Sequence, residues 1–341
     1  MALLDLIQSV GIDSLLAQLS ELGYTKLTLC ALGTLASYKL VYALYLSPLR
    51  TIPGPLLARL TSKRNQVLNT IGTINHYALS EYEQYGDIFI LEPNAVAICN
   101  PVDVRTVLGS HAFLKFHDFY HTVDLLGAPN TFSATDPAFV NMRKRQLGPF
   151  FTQSFLNQME PKILDSGIRS LQSKWDEMLD KSETGSVEIA YSNDFMLATF
   201  DIIGALAFGH DFSCLRDNDK EIIDWINAAV MYNGTMATVP MVNYFPFSLL
   251  LNPWKQKFAK LAAFCRKAAD RRRDLLKRQG GDDKKPVDLL QAYIDAEDPE
   301  SKVRMNETQI TAETIIATVA GTDTSATTLT WTVHLLMNHP E

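Results

Sequence analysis

The stretch "ATVAGTDTSATTLTWTVHLLMNHPE", residues 317–341, decides how the chain is read. It continues a helical pattern that opens at Asn306, a good N-cap, and runs to Met337. At 1.5 Å per residue, roughly thirty residues make a helix about 45 Å long. Threonine recurs from Thr308 to Thr332 and is a mediocre helix former. Packing on most sides is therefore expected to hold this helix across the middle of its domain. Ala320 and Thr324 are i, i+4 neighbours, and Gly321 and Thr324 are i, i+3, so they share a face. The small residues leave a flat patch where something planar or diatomic can approach the backbone. Thr324 can bond back to the Ala320 carbonyl, bending or opening the ladder there. Asp323 sits about 100° around the helix, close enough to feed a proton toward the groove through water. The set reads as a proton-delivery device for bound oxygen. A close-packing glycine beside an exposed acid is the alternative that the same letters allow.

The rest of the chain bounds this reading. It has 341 residues, 47% of them hydrophobic, with a formal net charge of -7, which is ample for a sizeable core. An acidic chain lacks the basic face that nucleic acid needs, so no nucleic-acid partner is expected. The run Lys267, Arg271, Arg272 and Arg273 reads as the wet side of a helix. Cys30, Cys99, Cys214 and Cys265 lie far apart with no C-x-x-C pair, so they read as buried free thiols and no metal ligands are assigned.

Residues 27–46, LTLCALGTLASYKLVYALYL, are long enough to span a hydrocarbon core of roughly 30 Å. Lys39 can snorkel, and Tyr38, Tyr42 and Tyr45 suit an interface. A buried core helix is the other reading, because Lys39 weakens the hydropathy. Arg50, Arg59, Lys63 and Arg64 follow the segment, whereas Asp5, Asp13 and Glu21 precede it, so the positive-inside rule puts the body in the cytosol. Ile12, Leu15, Leu16 and Leu19 suggest a short interfacial helix before the anchor. The expected organisation is a luminal segment (1–26), a transmembrane anchor (27–46), a proline-rich basic hinge (47–64) and a body (65–341). In the hinge, Pro53-Gly54-Pro55 cannot continue a helix.

In the body, the spacing predicts a helix from His76 to Gly86 and a β-hairpin in "DIFILEPNAVAIC" (87–99). Almost everything later is predicted helical: 137–147, 160–181, 188–208, 221–236, 254–279, 287–296 and 306–337. "QGGDDKKP" (279–286) reads as a solvated loop. The fold class is mainly α with a small β-sheet.

"AGTDTS" (320–325) resembles the oxygen-activation segment of the cytochrome P-450 family, the heme-thiolate monooxygenases, and fits [AG]-G-x-[DE]-T-[TS] at every position. The anchor followed by "LRTIPGP" is similar to the microsomal fungal type. "FVNMRKRQLGPFFTQSFL" resembles the family's W-x-x-x-R helix and the turn after it, and "DIIGALAFGHDFSCL" a segment ahead of the substrate-covering helices. The resemblance implies a cytochrome P-450 fold and heme b as cofactor. It implies that Arg143 pairs with a heme propionate, that Ala320 and Gly321 face the heme, and that Asp323 and Thr324 manage catalytic protons. Phe139 stands where a second propionate donor is often found, leaving only apolar contact. A complete member would sit single-pass in the endoplasmic reticulum membrane, among membrane lipid, and take electrons from NADPH-cytochrome P-450 reductase. It would insert oxygen into a small lipophilic substrate, with contacts expected around 113–130 and 235–247.

The chain departs from the family after the long helix. The Glu-x-x-Arg helix and the cysteine loop whose thiolate ligates the iron are not found. Cys214 in "AFGHDFSCL" does not replace that ligand: His210 stands where the loop needs glycine, and the cysteine precedes the oxygen-activation helix. His111, His117 and His121 read as loop or surface residues. The chain is thus expected to be a truncated cytochrome P-450, catalytically inactive as given. The alternatives are a fragment of a functional monooxygenase and a non-enzymatic membrane-anchored binding protein.

Overall fold

The computed structural model describes residues 24–279 and 287–340. The interfacial helix expected around Ile12–Leu19 and the loop 280–286 lie outside the described residues. The chain falls into two units, Met1–Phe113 and Leu114–Glu341.

In the first unit, helix α1 (Tyr24–Val41) runs into a π-helical turn, Tyr42–Leu46. From Lys26 to Leu46 it is long and apolar enough to cross a membrane, with a mean hydropathy of 1.4. Only Ala43 in that stretch is buried, which does not match a core helix. The Pro53-Gly54-Pro55 elbow lies against the sheet. The Pro53 carbonyl accepts the Ile90 N–H at 2.8 Å, and Gly54 has φ +152°. A Cβ on Gly54 would stand 2.8 Å from Ile90 Cβ, so both conformation and space call for glycine. Helix α2 (Ile74–Tyr85) stops at Gly86, φ +86°. Strands β1 (Ile88–Glu92) and β2 (Ala95–Ile98) pair antiparallel, Phe89 opposite Ala97, turning at Pro93-Asn94 as the alternation predicts. Helix α3 (Pro101–Gly109) was not anticipated. Asn100 caps it by accepting from Val102 N–H, with Pro101 in the first turn.

The second unit is helical. Helix α4 (Pro137–Leu147) forms as read, with Asp136 capping the amides of Ala138 and Phe139. Helix α5 (Gln153–Ile163) starts about two turns earlier than the spacing suggested, because Thr152 caps it. It passes through a π-helical stretch, Leu164–Arg169, into α6 (Ser170–Asp180). Helices α7 (Tyr191–Ile203), α8 (Glu221–Thr238), α9 (Asn252–Gln279) and α10 (Leu289–Asp295) follow. The last helix, α11 (Glu307–Asn338), opens on a capping box in which Asn306 and Gln309 satisfy each other's backbone amides.

The core joins Leu197 and Phe200 of α7, Ile226 of α8, Leu261 of α9, Tyr293 of α10 and Ile315 of α11. Each such side chain contributes about 1.5–3 kcal/mol on burial. Arg272 corrects the expected wet face of α9. It is buried, pairs with both Asp288 oxygens (2.9 and 2.8 Å) and donates to the Phe208 carbonyl at 2.9 Å. Its fork geometry satisfies the Asp288 carboxylate on both oxygens, which makes the burial tolerable.

Helix α11 also differs from its expectation. Residues Ile310 to Ile315 are buried, as are Thr318, Thr322 and Ala326. Beyond Ala326 no residue of the helix is buried, and Leu329, Trp331, Leu335, Leu336 and Met337 are exposed. Packing holds its first half only.

Candidate functional site

The threonines explain how α11 stays helical. The hydroxyls of Thr311, Thr314, Thr318, Thr324, Thr328, Thr330 and Thr332 each donate to the carbonyl four residues back at 2.6–2.8 Å. Thr324 bonds to Ala320 at 2.6 Å, as the sequence suggested, yet the helix is α throughout. The bond is one of a series and opens nothing. Ala320 and Thr324 lie on an exposed stripe, while Asp323 is half-buried with no hydrogen bond or ion pair among the described residues.

Gly321 points elsewhere. A Cβ there would stand 2.7 Å from Ile203 Cγ1 of α7, and Thr199 Oγ1 of the same helix lies 3.1 Å from the Thr322 carbonyl. The missing side chain lets α7 and α11 approach, which is the close-packing alternative. The segment thus faces two ways: Ala320 and Thr324 outward, Gly321 and Thr322 into the packing.

Arg143 of α4 is 1% exposed. Its Nε lies 3.2 Å from Glu313 Oε1, and its Nη1 donates to Gln146 Oε1 at 2.8 Å. The Phe139 ring centroid is 5.0 Å from the guanidinium carbon, a cation–π contact inside the same helix. Nε and Nη2 are both buried with no hydrogen-bond partner, so Nε meets Glu313 at ion-pair distance only. A buried guanidinium nitrogen left unpaired is costly, so a further acceptor at this point would be stabilising. Helix α4 is fixed from the other side by Arg145, which donates to both oxygens of the fully buried Asp298 (2.7 and 3.0 Å), and by Gln146, which donates to the Val303 carbonyl at 2.8 Å.

Glu313 was not singled out in the sequence and is the main addition to the site. It is 1% exposed. Besides Arg143, it accepts from Thr131 N–H at 3.0 Å and from Thr131 Oγ1 at 2.7 Å. Burial pushes its carboxyl above the usual range, against the pull of Thr131 and Arg143. The Tyr293 phenol beside them is raised by the same burial. Glu313 precedes Ala320 by seven residues and Thr324 by eleven. At 100° per residue all three fall within about 20° of one line, which extends about 16 Å along α11. The outward stripe of the 320–325 segment therefore leads back to the carboxylate that pairs with Arg143. An acid inside "TAETIIA" was the available signal.

The loop ahead of α4 is tightly built. Asn130, fully buried, accepts from Phe132 and Ser133 N–H (3.0 Å each) and donates to the Val123 carbonyl at 3.0 Å. A hollow of ≈ 290 Å³ opens beside it, walled by His117, His121, Thr135 and Phe139. The two histidines are exposed and stacked at 5.1 Å, and His111 is exposed in the other unit, in keeping with surface positions; His117 and His121 stand on short helical turns rather than in a loop. Among the described residues no cluster of His, Cys, Asp and Glu could hold a metal ion. Cys214 and Cys265 are buried, and burial pushes each thiol up to about 12. Cys214 belongs to a turn that Asp201 caps, accepting the amides of Cys214 and Leu215 at 2.9 Å.

The sequence profile of the family described as Cytochrome P450 matches residues 64–341. Cytochrome P450 monooxygenase helB1 of Aspergillus fumigatus is 40% identical over 307 residues, covering 89% of this chain and 52% of that protein. Cytochrome P450 monooxygenase helB3 of the same organism is 41% identical over 305 residues, with 89% and 59% covered. The chain thus spans little more than half the length of these relatives. Among solved structures, a cytochrome P450DA mutant heme domain superposes with a TM-score of 0.64 at 20% identity, covering 78% of this chain and 56% of that one. A cytochrome P450 named CYP102L1 gives 0.62 at 17% identity, with 77% and 55% covered. At these identities the structures speak to the fold alone. With the profile spanning most of its length, the chain belongs to the cytochrome P450 family.

Proposed function

We propose that these residues form the distal wall of a heme pocket in a P450 monooxygenase, and that the 341 residues by themselves do not turn over. The observation that carries the reading is the spare Nη2 of buried Arg143, tied through Glu313 to the helix stripe that bears Ala320 and Thr324. A heme propionate supplies the buried acceptor that this nitrogen lacks, so the residues present fit heme on this side. When bound, heme supplies the binding and reductive activation of dioxygen.

The protein groups divide the remaining work. Arg143 would hold the anionic edge of the cofactor, with Gln146 and Phe139 fixing the plane of its guanidinium. Ala320 keeps the stripe beside Thr324 free of bulk, while Gly321 serves the close approach of α7. The Thr324 hydroxyl, parked on the Ala320 carbonyl, can turn to donate a proton, and half-buried Asp323 can restore it through water. No cysteine here suits iron. Cys214 and Cys265 are buried with thiols held protonated, Cys30 is in the apolar helix, and Cys99 follows β2.

We further propose that the complete protein is a monooxygenase, as its fungal relatives are by name, and that it acts on a small lipophilic secondary metabolite. It would be anchored by α1 in the endoplasmic reticulum membrane, with its body cytosolic, and be reduced by NADPH-cytochrome P-450 reductase. The reading is tested by titrating hemin into the purified chain and into Arg143→Met, following heme absorbance. Removing one charge-assisted contact should weaken binding about tenfold or more. Equal affinity of the two proteins would contradict the role of Arg143.

A further inference from the structure

We infer that Glu313 is a positioning residue which ties the 123–134 loop to the anion-binding end of Arg143, so that loop order and anion binding are coupled. The second half of this statement rests on the heme reading above; the first does not.

The geometry is that of a clasp. One carboxylate on α11 takes the amide and the hydroxyl of Thr131 on one side and the guanidinium of Arg143 on the other. Thr131 directly follows Asn130, whose side chain organises the whole turn from Val123 to Ser133. Ser133 in turn donates to Asp124 at 2.5 Å and accepts from Asn130 N–H at 3.0 Å. The loop is thus internally rigid and attached to the helix through a single side chain among these contacts. If Glu313 loosens, the turn swings as a body, together with the wall of the hollow that Ser133 and Ala134 share with His117 and Phe139.

The coupling follows from sharing. Arg143 presents its Nε edge to Glu313 and its Nη1 to Gln146, leaving Nη2 for an anion. An anion at Nη2 locks the guanidinium plane, which fixes Glu313, which fixes Thr131. Conversely, without Glu313 the guanidinium loses the ion pair at its Nε edge and is held by Gln146 and Phe139 alone, so it meets an anion less well. Because this loop overlaps the 113–130 stretch expected to contact substrate, Glu313 would act on specificity through Thr131 without touching substrate itself.

Hydrogen exchange of the full chain, read by mass spectrometry over peptides covering 123–134, tests both halves. The proteins are wild type, Glu313→Gln and Thr131→Val, each with and without hemin. Thr131→Val deletes only the hydroxyl contact at an exposed position, so it keeps the test alive if the Glu313 variant folds poorly. Both variants should exchange about tenfold faster in this loop, with α7 and α9 unchanged. Hemin should slow the loop in wild type and leave it fast in Glu313→Gln. Unchanged exchange in both variants overturns the clasp. Hemin that binds wild type yet leaves the loop as it was overturns the coupling. Hemin that binds no variant sinks the heme reading and the coupling with it, while variant exchange still decides the clasp.

Discussion

Arg143 and Glu313 form an ion pair at 3.2 Å in which each residue is 1% exposed, so neither charge has water to fall back on. Removing one partner leaves the other charged in an apolar setting. Arg143→Met should therefore destabilise the second unit by about 3–5 kcal/mol. Adding Glu313→Leu should recover most of the loss, but not all of it, since Thr131 still lacks its acceptor. Urea unfolding followed by circular dichroism measures both, and additive single effects would contradict the pairing.

Gly321 should tolerate no side chain unless Ile203 yields. Gly321→Val places methyls where Ile203 packs and should destabilise the protein by about 1–3 kcal/mol. Ile203→Ala, itself destabilising, should reduce the penalty of Gly321→Val when the two are combined. A Gly321→Val protein as stable as wild type would mean that the glycine is not there for helix packing.

Acid stability should depend on Arg145. Its hydrogen bonds, and those of Ser301, hold the Asp298 carboxyl well below the ordinary carboxylate range. A folded value below the unfolded one means stability that is present above the unfolded value, about 3.9, and lost as pH falls toward the folded one. Arg145→Met raises the folded value toward the unfolded one, so acid unfolding should begin at higher pH. An unchanged acid midpoint would contradict this.

Cysteine labelling should divide the thiols by burial. Cys214 and Cys265, with thiols up to about 12, should resist iodoacetamide at neutral pH in the folded chain. Cys99 is exposed outside the apolar helix and should react. Rapid labelling of Cys214 in the folded protein would show a thiolate where burial forbids one.

Local chemistry made much of the fold legible. Helix α4 spans 137–147 as read and is opened by Asp136-Pro137, Asn306 with Gln309 opens α11, and the alternation around Pro93-Asn94 gives the hairpin. These signals act within a few residues. Helix α3 was missed, although Asn100-Pro101 is a start signal of the same kind, because its short body carries little apolar periodicity. What stayed hidden depends on distant neighbours. Nothing near Gly321 says that Ile203 will fill its empty side, and nothing near Arg272 announces Asp288. Arg143 was singled out by resemblance to a motif, but its partner Glu313 stands 170 positions away and is brought to it only by the tertiary fold.

The most direct test of the central claim is the carbon monoxide difference spectrum of the reduced 341-residue chain after reconstitution with hemin. The proposal that these residues hold heme from its distal side and offer no thiolate predicts a carbon monoxide complex without a thiolate-type band. A thiolate-type band from these residues alone would contradict the account, because one of four cysteines judged unsuited to iron would then be its ligand.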